Sequence, residues 1–404
     1  MLQRCLVACL IVLLAGCVTV PQTVSRPEAC PPCAASPACP GVEPAKPAEK
    51  PMQPAAWSDL PGWAEDDPLS AFVGFRASCV ALDKRPAWRS TCETLRELKF
   101  VDGALTKDVA RAWFEANLVP WALVNPDGVR EGLITGYYEP VVKGSRSKQA
   151  PYLHPVFGPP DDLVTVDLAA LYPELKHMRL RGRIDGKKLV PYFSRGEWAA
   201  EEPQREGNAL LWIDDALDFF FLQIQGSGQV ELADGSRVRI GYADQNGHPY
   251  RSIGRWLIDQ GELKSHEASM QGIRAWAKAN PKRLQELLNA NPSLVFFREM
   301  PVEGSGPPGA LGQPLTPRRS IAIDPRHVPL GAPVFLDTTW PNETKPLQQL
   351  MLAQDTGGAI RGVVRADFYW GSGAEAGSLA GKMRQPGRMW VLLPRGYSPE
   401  LATK

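Results

Sequence analysis

QDTGGAIRGVVRADFYWGSGAEAGSLAG, residues 354–381, sets two aspartates, seven glycines and an aromatic triplet into one short stretch near the C-terminus. Two β-type runs, Leu350 to Gln354 and Val363 to Ala366, hand over to glycine or aromatic residues at Asp355 and Asp367. That handover predicts both carboxylates at strand ends, lining one groove. Similar runs surround it: IAI at 321–323, PVFL at 333–336, QLML at 349–352 and MWVLL at 389–393. Short apolar runs between turn residues describe a β-rich body.

The same texture is found upstream. LITGYYEPVV, residues 133–142, reads as strand, and residues 143–200 continue as short apolar runs between Pro and Gly, with no long helix. Phe219 to Ile224 reads as an apolar strand running into Gly226-Ser227-Gly228. Alternating Val230 and Leu232 then meet Asp234-Gly235, with Val238, Ile240 and Tyr242 beyond, which is a hairpin signal. Between the β regions the period changes. Ile253, Trp256 and Leu257 line a helix ending at Gly261; Ser265 caps a second, carrying Met270, Ile273 and Trp276; Asn280-Pro281 starts a third. Another helix is centred within residues 95–119, on Val109, Trp113 and Phe114. An insertion therefore splits the β region.

The N-terminus addresses the chain. Arg4, the apolar run Leu6 to Leu14 and the small residues after it form a secretory signal too short to span a bilayer. The run closes with Leu14-Ala15-Gly16-Cys17, which resembles a bacterial lipobox, so Cys17 is the expected lipidation site and residues 1–17 the signal and anchor. By the resemblance to bacterial lipoproteins, Val18 in place of Asp favours outer-membrane over inner-membrane retention. Residues 18–56 hold ten prolines and few large apolar groups, so they form a linker and not a core. Cys30, Cys33 and Cys39 have the spacing of half a zinc site, which no second CxxC or nearby His completes. In an oxidising compartment Cys79 and Cys92 either form a local disulfide or stand as two buried thiols.

Forty-five Lys and Arg balance 44 Asp and Glu with no run of like charge, which gives no basis for nucleic-acid binding. The chemistry rests on carboxylates. Asp324 follows Ile321–Ile323 as Asp355 and Asp367 follow their own runs. Phe368, Tyr369 and Trp370 surround Asp367 with apolar groups that raise a carboxyl pKa, so Asp367 is the better acid. Backbone N–H groups near Gly357 and Gly358 are expected to keep Asp355 ionised. The competing reading is that all three cap turns or bind backbone amides. Asp355-Thr356-Gly357 also spells an aspartic-protease triplet, but such an enzyme needs two and the chain has one. No HExxH and no GxSxG is present, and Gly226-Ser227-Gly228 lacks the rest of a phosphate loop.

Across most of the body the chain resembles the membrane-bound lytic murein transglycosylase A family. The resemblance is carried by GYYEPV at 136–141, FLQIQGSG at 221–228, Tyr242 with NGHPYRSIGRWLIDQGE at 246–262, SIAIDPRHVPLG at 320–331 and the opening segment. It implies a mainly β protein with some helices: a double-psi β-barrel domain, discontinuous in sequence at 57–142 and 301–396, and a smaller inserted β-rich domain at 143–300 forming the other wall of a glycan groove. It implies cleavage of the β-1,4 bond between N-acetylmuramic acid and N-acetylglucosamine of peptidoglycan without water, leaving 1,6-anhydromuramyl ends. No metal or organic cofactor is implied.

In that reading Asp367 acts alone as general acid and base, with Asp355 and Asp324 as the family's other two aspartates in support. Tyr137, Tyr138, Glu139, Gln223, Gln225, Gly226 and Ser227 match motifs facing the groove. The implied setting is the periplasmic face of a Gram-negative outer membrane, with glycan strands as substrate and room for partners among cell-wall synthesis or division proteins. Two other readings stand beside it: a peptidoglycan-binding lipoprotein without catalysis, and a hydrolytic muramidase using Asp355 and Asp367.

Overall fold

In the computed structural model the described residues are 50–98, 105–178, 180–302, 304–397 and 399. Cys17 and most of the proline-rich linker lie outside them.

Six strands close into a barrel. In order around it they are Arg384–Pro394, Pro333–Thr339, Pro346–Thr356, Ser320–Ile323, Arg365–Ser372 and Gly132–Glu139, and the last pairs back with Arg384–Pro394. Closure is made by length: one end of Arg384–Pro394 pairs with Gly132–Glu139 (Arg384 opposite Thr135), and further along it pairs with Pro333–Thr339 (Val391 opposite Val334). Two of the barrel pairings are parallel, Ser320–Ile323 with Pro346–Thr356 and Arg365–Ser372 with Gly132–Glu139. Strands Met52–Pro54 and Leu118–Leu123 extend the sheet outward. Leu350 to Gln354 and Met389 to Pro394 are buried at every position because the barrel interior takes one face and covering elements the other. This is why they read as unbroken apolar runs.

Helices Leu69–Leu82, Pro86–Glu97 and Lys107–Asn117 contribute to the barrel's outer cover. Phe72, Phe75, Trp88, Trp113 and Phe114 interlock there, and a Cys79–Cys92 disulfide joins the first two helices. The helix centred on Trp113 stops at Asn117, and Pro120 sits inside a strand instead of breaking a helix. Leu95 belongs to the preceding helix.

The chain leaves the barrel after Glu139 and returns at Ser320. The intervening β-rich domain has a six-stranded sheet, in the order Val295–Met300, Arg237–Gln245, Ser227–Glu231, Val141–Ser145, Ala209–Ile213 and His154–Phe157, and a three-stranded sheet of Val164–Thr165, Arg181–Asp185 and Lys188–Pro191. The fold is thus a discontinuous double-psi β-barrel domain with a β-rich insertion.

Three expectations need correction. Phe219 to Ile224 lies in a helix, Ala216–Gln225: Asp215 accepts hydrogen bonds from the Leu217 and Asp218 amides, and Gly226 ends the helix at φ +80°. The run is apolar all round because Leu217, Phe220 and Phe221 pack into one core and Leu222 into another. Ser269, not Ser265, caps helix Met270–Ala279. Residues 143–200 contain the start of an eleven-residue helix, Arg195–Arg205, whose capping box of Ser194 and Glu197 was in the sequence to be read.

Candidate active site

The barrel's register brings the site together. Ala322 lies opposite Asp355 on one neighbouring strand and opposite Asp367 on the other, and Asp367 in turn lies opposite Thr135. Directly opposed residues share a face of the sheet, so Asp355, Ala322, Asp367 and Thr135 form one row. Two strand spacings separate the aspartates, about 10 Å between their Cα atoms. The row extends one step along the strands to Tyr137 and Tyr369, whose rings lie 5.2 Å apart.

Asp367 is not at a strand end. It is the third residue of Arg365–Ser372, which runs on through the aromatic triplet. Alternation along the strand divides that triplet: Phe368 and Trp370 enter the barrel's hydrophobic core, while Tyr369 shares the aspartate's face. On the far side the strand Gly132–Glu139 needs a glycine at 136, since a Cβ there would lie 2.7 Å from Trp370 Nε1 and 2.9 Å from the Ala380 Cα.

The Asp367 carboxyl is partly buried. Thr135 Oγ1 donates to its Oδ1 at 2.6 Å, and Arg365 Nη2 donates to Thr135 Oγ1 at 2.9 Å. Oδ2 has no hydrogen-bond partner among the described residues. Burial pushes the Asp367 pKa up to about 6, with the Asp355 charge adding to the rise and the Thr135 hydroxyl and Arg365 opposing it. Thr135 and Arg365 were not foreseen. Each stands two residues before a residue that was, Tyr137 and Asp367, and strand alternation puts such pairs on one face.

Asp355 is saturated with donors. Its Oδ1 accepts from the Ala310 and Thr356 amides, both at 2.9 Å, and its Oδ2 from Tyr137 Oη at 3.0 Å. Backbone donors were expected, but they come from Ala310 and Thr356, not from the glycines. The expectation of a readily ionised Asp355 also fails in direction: burial raises its pKa, outweighing all three hydrogen bonds. Tyr137, half-buried with its hydroxyl on Asp355, is held well above its ordinary value by desolvation and by that carboxylate.

Asp324 does different work. Fully buried just past its strand, it accepts from Arg326 Nε at 2.9 Å and from the Gly362 amide at 2.9 Å. Burial alone would raise its pKa, yet the Arg326 side chain and the Gly362 and Arg326 amides together hold it well below the usual carboxylate range. It is a clamp on the loop leading to Arg365–Ser372, and it is not among the charges acting on Asp367.

The other expected groove residues separate into two groups. Tyr137, Gly226 and Ser227 are partly exposed. Tyr138 points the other way, into the core against Gly377, and only its backbone amide, donating to Gln225 Oε1 at 3.1 Å, meets the motif around Gly226. Glu139 is fully buried and binds Arg239 Nε at 2.7 Å, Gln229 Nε2 at 2.8 Å and Ser372 Oγ at 2.6 Å, joining barrel to insertion. Gln223 is buried against Arg195, with Oε1 2.6 Å from Nη2. Tyr138, Glu139 and Gln223 are therefore supports whose side chains do not reach outward. Among the described residues no group of three or more His, Cys, Asp or Glu side chains gathers as a metal ion requires.

Residues 133–298 match the family model described as MltA specific insert domain, and residues 319–393 match the 3D domain. The chain is 34% identical over 279 residues to the membrane-bound lytic murein transglycosylase A of Escherichia coli strain K12, covering 67% of this chain and 68% of that protein. Among solved structures it is similar to a monoclinic form of MltA from Neisseria gonorrhoeae, at 38% identity and a TM-score of 0.75, covering 86% of this chain and 94% of that one. It is also similar to E. coli MltA with bound chitohexaose, at 27% identity and a TM-score of 0.61, covering 86% and 92%.

Proposed function

The chain belongs to the membrane-bound lytic murein transglycosylase A family, and we infer from that membership that it is a peptidoglycan lytic transglycosylase with Asp367 as its single general acid and base. The glycan lies in a groove between the barrel domain and the inserted domain, whose sheet begins with Val141–Ser145. Neutral Asp367 gives its proton to the glycosidic oxygen linking N-acetylmuramic acid to N-acetylglucosamine, and the bond from that oxygen to the muramyl C1 breaks. The resulting carboxylate takes the proton of the muramyl C6 hydroxyl as that oxygen bonds to C1. A 1,6-anhydro ring forms and Asp367 is protonated again.

The observation that carries this reading is the asymmetry of the Asp367 carboxyl. Oδ1 is fixed by Thr135 and Oδ2 is unengaged, on a group whose pKa of about 6 leaves an appreciable protonated fraction near neutrality. An intramolecular hydroxyl has a high effective molarity, so no second carboxylate has to place water. Asp355 is poorly suited to that task in any case, because two amides and a phenol occupy it. Tyr137 and Ser227 contact the sugar, and Gly226, at φ +80°, ends the helix beside open space.

Among the described residues no helix is long and apolar enough to cross a membrane. The lipobox-like sequence ending at Cys17 supports a lipid anchor in the outer membrane, with the enzyme facing the periplasm. Digestion of purified murein sacculi by the mature protein in detergent, with products weighed by mass spectrometry, tests the activity. Anhydro ends are expected; water-added reducing ends would favour a muramidase, and absence of products a binding protein.

A further inference from the structure

The inserted domain encloses a cavity of about 200 Å³ to which no barrel strand contributes a lining residue. Helices Arg195–Arg205 and Ala216–Gln225 and the strand Val295–Met300 form much of its wall. The wall sets aromatic surface from Trp198, Phe220 and Phe296 beside the polar side chains of His154, Glu202 and Gln285. Into this setting the protein places a guanidinium.

Arg195 is only 8% exposed. Its Nε donates to the Asn291 carbonyl at 3.1 Å, its Nη2 to the Ser293 carbonyl at 2.6 Å and to Gln223 Oε1 at 2.6 Å, and its charge lies 4.7 Å from the Phe220 ring centre. All these partners are neutral. Among the described residues no carboxylate pairs with Arg195, and Nη1 has no hydrogen-bond partner. A buried charge without a counter-charge is costly, and burial lowers the Arg195 pKa to about 9. Glu202 is the one acidic residue on the cavity wall, and it does not offset that cost. Burial and the neighbouring Glu206 push its pKa up to about 7, where pairing with a guanidinium would have pulled it down.

We propose that this cavity is a second binding site, which takes the terminal carboxylate of a short peptide ending in a small apolar residue. The carboxylate pairs with Arg195 Nη1, and the terminal side chain lies against Trp198 and Phe296. One guanidinium matches one negative charge, and the aromatic part of the wall gives a small apolar side chain its contact. Peptide substituents with free carboxylates accompany the glycan of murein, so the choice of a peptide rests on the proposed function, while the anion site rests on Arg195 itself.

Calorimetric titration of the mature protein with N-acetyl-D-alanyl-D-alanine tests this, with the C-terminal amide of the same dipeptide as control. The acid should bind, and the amide at least about tenfold more weakly. Ala199→Leu projects a side chain from the cavity wall without removing an Arg195 hydrogen bond, and should abolish binding. Arg195→Gln, where circular dichroism shows it folded, should bind acid and amide alike. Equal binding of acid and amide by the parent protein, binding unchanged by Ala199→Leu, or no binding at millimolar acid overturns the proposal. Peptide-free glycan strands digested in parallel separate the two claims. A lytically active protein that ignores the acid overturns the pocket alone, and a lytically silent one that binds it overturns the transglycosylase reading alone.

Discussion

Asp367→Asn should abolish lytic activity and at the same time make the protein more stable at neutral pH. A carboxyl whose folded pKa is raised binds more protons folded than unfolded, so its stability contribution is complete below the unfolded pKa and is lost as pH rises through the folded one. For Asp367 the window runs from the ordinary 3.8 to about 6. Fully realised, that interval corresponds to about 3 kcal/mol above pH 7. Partial exposure and the Thr135 hydrogen bond, which an amide oxygen keeps less well, reduce the expected gain to about 1–2 kcal/mol. Urea denaturation of parent and variant at several pH values measures it. The variant's advantage should be near zero at pH 4, grow through pH 5 to 6 and level off by pH 8. An Asn variant that is less stable at pH 8, or whose advantage does not vary with pH, would refute the claim that burial raises this carboxyl. Retained anhydro-product formation would separately refute its role as the acid.

Thr135→Val removes the hydroxyl that lowers the Asp367 pKa, so the alkaline limb of the kcat/KM profile should move to higher pH while kcat falls roughly tenfold. Asp324→Asn weakens the hydrogen bonds between a buried carboxylate held low and a half-exposed guanidinium, so its cost, about 2 kcal/mol, should be present near neutrality and fade as pH falls below the ordinary 3.8; denaturation at pH 7 and pH 3 compares the two, and kcat of the folded variant should change little. Replacing both Cys79 and Cys92 with Ser opens a loop of 13 residues' separation and should cost about 3 kcal/mol in denaturant titrations, with product chemistry unaltered.

The barrel strands were readable because burial on both faces writes unbroken apolar runs such as Leu350 to Leu352 and Val391 to Leu393. The site was readable in its residues and not in its arrangement. Nothing local to Asp355 or Asp367 says that Ala322 lies between them, because pairing between distant strands is decided by the closed barrel. Phe219 to Ile224 was misread because six apolar residues carry no period, while the decisive signals, Asp215 and Gly226, flank the run. Tyr137 and Tyr138 were treated alike although neighbours on a strand face opposite ways, which is why one reaches Asp355 and the other the core. Glu139 and Gln223 were assigned to the groove by motif; their burial followed from contacts with Arg239 and Arg195 that no spacing reveals.

Closure of the barrel by Arg384–Pro394 has a consequence for how the enzyme is made. The hydrogen bond from Thr135 to Asp367 spans 232 positions, and the last barrel strand pairs with Gly132–Glu139, on which Thr135 sits. An incomplete chain emerging from synthesis or export therefore carries its aspartates without the site that arms them. The strand that carries Thr135 has both its barrel neighbours only once Arg384–Pro394 is in place, so the ring that holds Thr135 against Asp367 is the last thing the chain can complete.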